Sequence, residues 1–162
     1  MAIPGMKSKW GYRHISIHCQ NLQSRKPGDK LYRYFAARIF KGENMPCEIV
    51  EKKDDLITVK ISGLLKRTEL ALAEKVAIEL MRSAHKIKIL ILTENFQGWD
   101  NKDNWEDVSF QFEHDQQIEK IAIVGEKQWR ELVEVFVGKG LRPMDIQYFT
   151  PAETTIARTW IQ

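Results

Sequence analysis

Lys86-Ile87-Lys88-Ile89-Leu90-Ile91-Leu92-Thr93 is the stretch that decides the fold. A strand with one wet face alternates apolar with polar residues, whereas the near-continuous, β-branched-rich run here requires burial on both faces. Lys88 interrupts it, and its length suits a strand. A membrane-spanning helix needs roughly 18 to 20 apolar residues in a row, and no run in the chain approaches that. A central strand of this kind belongs to an α/β fold with a mainly parallel sheet, and its downstream end is the place to look for a site.

Working outward, Cys47 to Lys52 and Leu56 to Ser62 read as strands. The polar cluster Lys52-Lys53-Asp54-Asp55 between them predicts a tight antiparallel hairpin. Gly63 ends the second strand. Leu70, Ala73, Val76, Ala77, Leu80, Met81 and Ala84 then recur at three- and four-residue spacing, opposite Glu74, Lys75, Glu79 and Arg82. That is one stripe of a helix that covers a sheet. Beyond Thr93, a turn is expected at Gly98, a second helix from about Lys102 to His114, and a strand at Ile118–Val124. A third helix follows from Lys127 to about Val137 and ends at Gly138-Lys139-Gly140, which lacks the spacing of a phosphate loop and reads as a helix C-terminus. Asp145–Phe149 reads as the last strand, and Pro151 opens a final helix ending in Ala157, Trp160 and Ile161. The sum is a single mixed, mainly parallel sheet of four to five strands with about four helices.

Charge divides the chain. Residues 1–45 hold nine Lys/Arg against Asp29 and Glu43, a balance of +7, while the remainder holds 16 against 20, a balance of −4. Residues 1–45 therefore read as a basic, loop-rich extension punctuated by Pro4-Gly5, Ser24-Arg25-Lys26 and Pro27-Gly28, with one helical stretch at Lys30–Phe40. Met45 stands where the domain pattern begins and is an alternative translation start. The domain proper is 46–162. Lys7, Lys9, Arg13 and His14 break up every apolar stretch near the start, so no secretory signal is read, and the expected location is cytoplasmic. Cys19 and Cys47 form no C-x-x-C pair and read as lone thiols.

Three separated motifs carry a family resemblance: Phe96-Gln97-Gly98-Trp99-Asp100, Trp105-Glu106-Asp107, and Ile118 to Trp129 with its Val124-Gly125-Glu126-Lys127-Gln128-Trp129 ending. Together with Ile61-Ser62-Gly63, Tyr148-Phe149 and the Ala157–Ile161 segment, they make residues 47–162 resemble the SpoIIAA-like family, small bacterial proteins related to STAS and SEC14-type lipid-binding domains. The resemblance implies a four- to five-stranded mixed sheet with helices packed on it. It also implies a functional edge at the loop after the central strand and the start of the next helix. One departure bears on mechanism. Anti-sigma-factor antagonists of that superfamily carry a phosphorylatable Ser or Thr at the start of that helix, but this chain has no hydroxyl residue between Thr93 and Ser109. Lys66-Arg67 also replaces a capping Thr, which places the first helix start near Thr68.

Five aromatics, Phe96, Trp99, Trp105, Phe110 and Phe112, fall within seventeen residues. They can wall an apolar pocket, or, for Trp105 and Phe112 at helical spacing with Ser109, simply fill the core. Phe96 and Trp99 are expected in a loop. Asp100, Asp103, Glu106 and Asp107 form an acidic cluster, read as helix-start chemistry with Asp100 or Asn101 as N-cap. No nucleophile, base and oxyanion set can be assembled, and the four histidines are scattered, His14-x-x-x-His18 lacking the Glu of a zinc motif. Neither a cofactor nor a metal is expected.

The expectation is a non-catalytic binding or regulatory module. Its candidate ligand-binding residues are Phe96, Trp99, Asp100, Trp105 and Phe110, and its partner a small apolar or lipid-like ligand or another protein. The alternatives are a basic-arm adaptor for anionic membrane or nucleic acid, and an enzyme using the acidic cluster. Lys52-Lys53 and Lys86/Lys88 are too sparse to make the domain itself a nucleic-acid reader. A sheet edge offers a route to a homodimer.

Overall fold

The computed structural model describes residues 46–162. The expected basic extension, its Lys30–Phe40 helix, Cys19 and the His14/His18 pair lie outside the described residues. Five strands form one sheet in the order β1 (Cys47–Lys53), β2 (Leu56–Leu65), β3 (Ile87–Trp99), β4 (Ile118–Val124) and β5 (Asp145–Phe149). β1 is antiparallel to β2 across the expected hairpin, with Lys53 opposite Leu56 and Asp54 in the left-handed region. The other three pairings are parallel. The helices are α1 (Arg67–Met81), α2 (Ser109–His114), α3 (Arg130–Phe136) and α4 (Thr154–Trp160).

The period-two alternation of the strands sorts the core into two layers. Ile57, Val59 and Ile61 of β2, Ile87, Ile89 and Ile91 of β3, Ile121 and Ile123 of β4 and Ile146 and Tyr148 of β5 pack with Ala73, Ala77 and Leu80 of α1 and Val133 of α3. Leu90, Ala122, Val124 and Phe149 face the other way, onto Ala157 and Ile161 at the C-terminal helix. Leu90 is fully buried, as the reading of the Lys86–Thr93 run requires. The lysines around that run have work on this second face. Lys88 Nζ donates to Gln162 O (2.7 Å) and Lys120 Nζ to Trp160 O (3.1 Å), placing positive charge at the carboxyl end of α4.

Two expectations are corrected. β3 does not stop at Thr93, nor β2 at Ser62: the pairs Gly63↔Phe96 and Leu65↔Trp99 prolong both strands, so Phe96 and Trp99 lie on a strand and not in a loop. The chain bends at Gly98, but inside the strand, with φ +96, where a Cβ would stand 3.4 Å from the Trp129 ring. The second helix is the larger miss, for only Ser109–His114 is helical. Residues 100–108 are held in successive side-chain turns: Asp100 Oδ1 accepts from Lys102 N (3.0 Å), Asn104 Oδ1 from Glu106 N (3.0 Å) and Asp107 Oδ1 from Ser109 N (3.1 Å). Asp and Asn side chains that capture their own backbone in this way compete with the helix. Phe112 consequently does not fall in line with Trp105 in the core; it is 86% exposed.

The ends of the other helices match their sequence signals. Gly138 (φ +70) takes the left-handed position after α3, with Lys139 N bonded to Glu134 O (2.9 Å) and Gly138 N to Val135 O (3.0 Å). This is the double bond of a Schellman stop. At the last helical stretch, Glu153 accepts from both Thr150 N and Thr150 Oγ1 at 2.8 Å, which lowers its pKa through those two bonds.

Candidate functional site

α1, α2 and α3 do not close fully on the sheet. Between them lies a cavity of ≈ 130 Å³. Its floor is Ile57, Val59 and Ile61 of β2, Ile89 and Ile91 of β3 and Ile121 and Ile123 of β4. The small side chains Ala73 and Ala77 of α1 leave the space, and Phe96, Trp99, Phe110 and Phe136 supply aromatic walls. For scale, a dry apolar cavity of about 150 Å³ accommodates benzene.

One wall is an aromatic cluster built from three separated segments. Phe96 meets Trp99 (5.1 Å, 89°) and Trp129 (5.0 Å, 68°) edge to face, and Trp99 meets Phe136 at 4.7 Å. Trp105 stands edge-on to Phe136 at 5.5 Å. The edge-to-face pairs have the geometry that ring quadrupoles favour. Gly98 sits against the Trp129 ring with φ +96, a backbone conformation that L side chains rarely adopt, while a Cβ there would meet the indole only at ordinary contact distance.

The segment after β3 straps this wall to α1. Asp100 N donates to Leu65 O (2.8 Å), continuing the β2–β3 ladder by one bond. Trp105 Nε1 donates to Asp100 O (2.8 Å). Asp103 Oδ2 accepts from Arg67 N (2.6 Å), supplying α1 with a cap that Lys66 does not provide. Asp107 Oδ2 sits 3.6 Å from the Arg67 guanidinium, which also holds Glu74 at 2.9 Å. Asp107 is held below the usual carboxylate range, chiefly by the hydroxyl and backbone of Ser109. Two members of the acidic cluster thus serve the start of α1, Asp103 from 36 residues away as its cap and Asp107 through the Arg67 guanidinium, while Asp107 also accepts from Ser109 N at the start of α2.

The candidate residues divide accordingly. Phe96, Trp99 and Phe110 line the cavity. Trp105 backs the wall through Phe136, and Asp100 is the turn that anchors Trp105. Sequence reading missed Trp129, Phe136 and Gln111. The first two lie on the predicted third helix, where Val133, Phe136 and Val137 share a face, but nothing in sequence ties that face to Phe96. Outside the cavity, α2 and α3 expose Phe112, Leu132 and Val135, and Leu141 follows at 90% exposure.

The polar groups in the cavity wall are mostly spoken for. Arg142 is bidentate to Asp115 (Nε to Oδ2 3.0 Å), Glu74 pairs with Arg67, and Thr93 Oγ1 donates to Val124 O (3.1 Å). At the carboxyl ends of β3 to β5, Tyr148 Oη donates to Glu126 O (2.9 Å), and burial pushes that phenol up. Cys47 is a buried free thiol pushed up to about 12, first by burial and then by Glu69, Glu74 and Glu48. It is a neutral apolar group, not a nucleophile. Among the described residues no three His, Cys, Asp or Glu side chains gather as a metal set, and no helix is long and apolar enough to cross a membrane.

Comparison with known proteins bears on the fold. No curated protein matches the chain. A crystal structure from Shewanella loihica PV-4, an uncharacterized protein of the DUF3478 family with a SpoIIAA-like fold, superposes with a TM-score of 0.55 at 18% identity, covering 72% of this chain and 92% of that one. The family profile described as SpoIIAA-like matches residues 56–162. The chain belongs to the SpoIIAA-like family.

Proposed function

We propose that this protein is a non-catalytic regulatory module that binds a small apolar, lipid-like molecule in the cavity between its sheet and α1–α3. The observation that carries the reading is the cavity itself: a space of benzene-like capacity, floored by aliphatic side chains and walled by a clustered set of aromatics. The paired state of Glu74 and Arg142 and the neutral Cys47 fit binding better than acid–base chemistry. Native mass spectrometry of gently purified protein, followed by denaturing mass on the same sample, tests the proposal. A small molecule lost on denaturation supports it, and an empty protein that also shows no tryptophan fluorescence change with toluene or short isoprenoid alcohols contradicts it.

A second reading rests on a different observation. Phe112, Leu132, Val135 and Leu141 are exposed on α2, α3 and the loop after them, as a protein-docking face requires. A stoichiometric protein in the native spectrum, lost in Val135→Lys, supports that reading; a ligand without a partner does not.

A further inference from the structure

The geometry points to a neutral ligand of single-ring or short-chain size bearing one hydroxyl-type group, which Gln111 of α2 recognises; this rests on the cavity reading above. The groups on the cavity wall exclude a charged ligand and leave one amide free to pair. Every charged side chain lining the cavity already has an opposite charge: Arg142 with Asp115, Glu74 with Arg67. A carboxylate or ammonium ligand would enter an apolar space without a free counter-charge, which is strongly unfavourable. The Thr93 hydroxyl is engaged with Val124 O. Gln111 differs from these. Its Oε1 is buried without a hydrogen-bond partner among the described residues, in the lining of the same cavity. A buried amide oxygen left in that state is costly, and native proteins rarely tolerate it without a reason. A hydroxyl both donates to Oε1 and accepts from Nε2, so it matches the amide in either orientation. Trp99 Nε1, a second buried donor without a partner among the described residues, belongs to another lining residue and adds polarity without charge.

In a wholly apolar cavity a hydroxyl lowers affinity, because its lost hydration is not replaced. In this one it raises affinity. Calorimetric titration of the full chain with three probes of one shape separates the cases: toluene, 4-methylphenol and benzoate. The expected result is 4-methylphenol binding about 5- to 10-fold tighter than toluene, from one added hydrogen bond, with benzoate not binding. In Gln111→Leu and in Gln111→Met, each confirmed folded by its methyl spectrum, the order reverses. Toluene binding as tightly as 4-methylphenol, benzoate binding comparably, or an unchanged preference in both variants overturns the inference while leaving the cavity reading intact. Failure of all three probes overturns both.

Discussion

Ala77→Leu fills the cavity and separates its existence from its use. Ala77 is 4% exposed on α1 and lines the space, so a larger side chain grows into it and not into solvent. The space has ≈ 130 Å³ to receive it. Leucine adds three carbons, about 2.4 kcal/mol gross at ~0.8 kcal/mol each. Imperfect fit and lost rotamer freedom return roughly 1 kcal/mol or more of that. The net expectation is a gain of about 1 kcal/mol, seen as a rise in Tm of about 3–6 °C by circular dichroism. The same variant loses toluene binding. A Tm lowered by several degrees means that the space is not there, and unchanged toluene affinity means that the ligand goes elsewhere.

Other perturbations address the scaffold. Asp103→Ala removes the remote cap from α1 and is expected to cost about 1–2 kcal/mol, with Asp103→Asn costing less because it keeps an acceptor; equal, negligible losses in chemical denaturation would refute the cap. Gly125→Ala places a Cβ onto Tyr148 Oη, near the carboxyl end of β5, and onto Thr93 Oγ1, midway along β3, and should cost about 1–3 kcal/mol. Unperturbed stability there would mean that the three strands are not gathered as described. Cys47 sets a pH dependence. Its thiol has a pKa near 9.0 unfolded and about 12 folded. Between those values the folded chain keeps a proton that the unfolded chain releases, so stability falls as pH rises from about 9. Cys47→Ala flattens that slope in denaturation curves taken from pH 8 to 11; an identical slope would show the thiol to be solvated.

Strands and the long helix were legible because their signals are local. The Lys86–Thr93 run, the Leu70–Ala84 stripe and the Lys52–Asp55 hairpin each announce themselves within a few residues. β3 and β2 read short in sequence because their final residues pair only with each other, and a strand held by its neighbour needs no alternating pattern of its own. Residues 102–108 read as helix in sequence because acidic residues before an apolar stretch look like an N-terminus. What decides their conformation is competition between Asx turns and helix, together with the distant backbone N–H of Arg67. Phe96, Trp99 and Phe110 could be picked out from aromatic density alone. Their partners Trp129 and Phe136 could not, since contact between residues some thirty apart depends on how β4 seats α3 beside β3. Nor does sequence distinguish a fully solvated Gln111 from one whose Oε1 is buried in a cavity wall.

The most direct test of the account uses isoleucine methyls as reporters on both faces of the sheet. Selectively methyl-labelled protein is titrated with toluene and followed by NMR. The account predicts shifts at Ile57, Ile89, Ile91, Ile121 and Ile123, which floor the cavity, with Ile156 and Ile161 at the C-terminal helix unmoved. Shifts confined to Ile156 and Ile161, or none at saturating toluene, would contradict it.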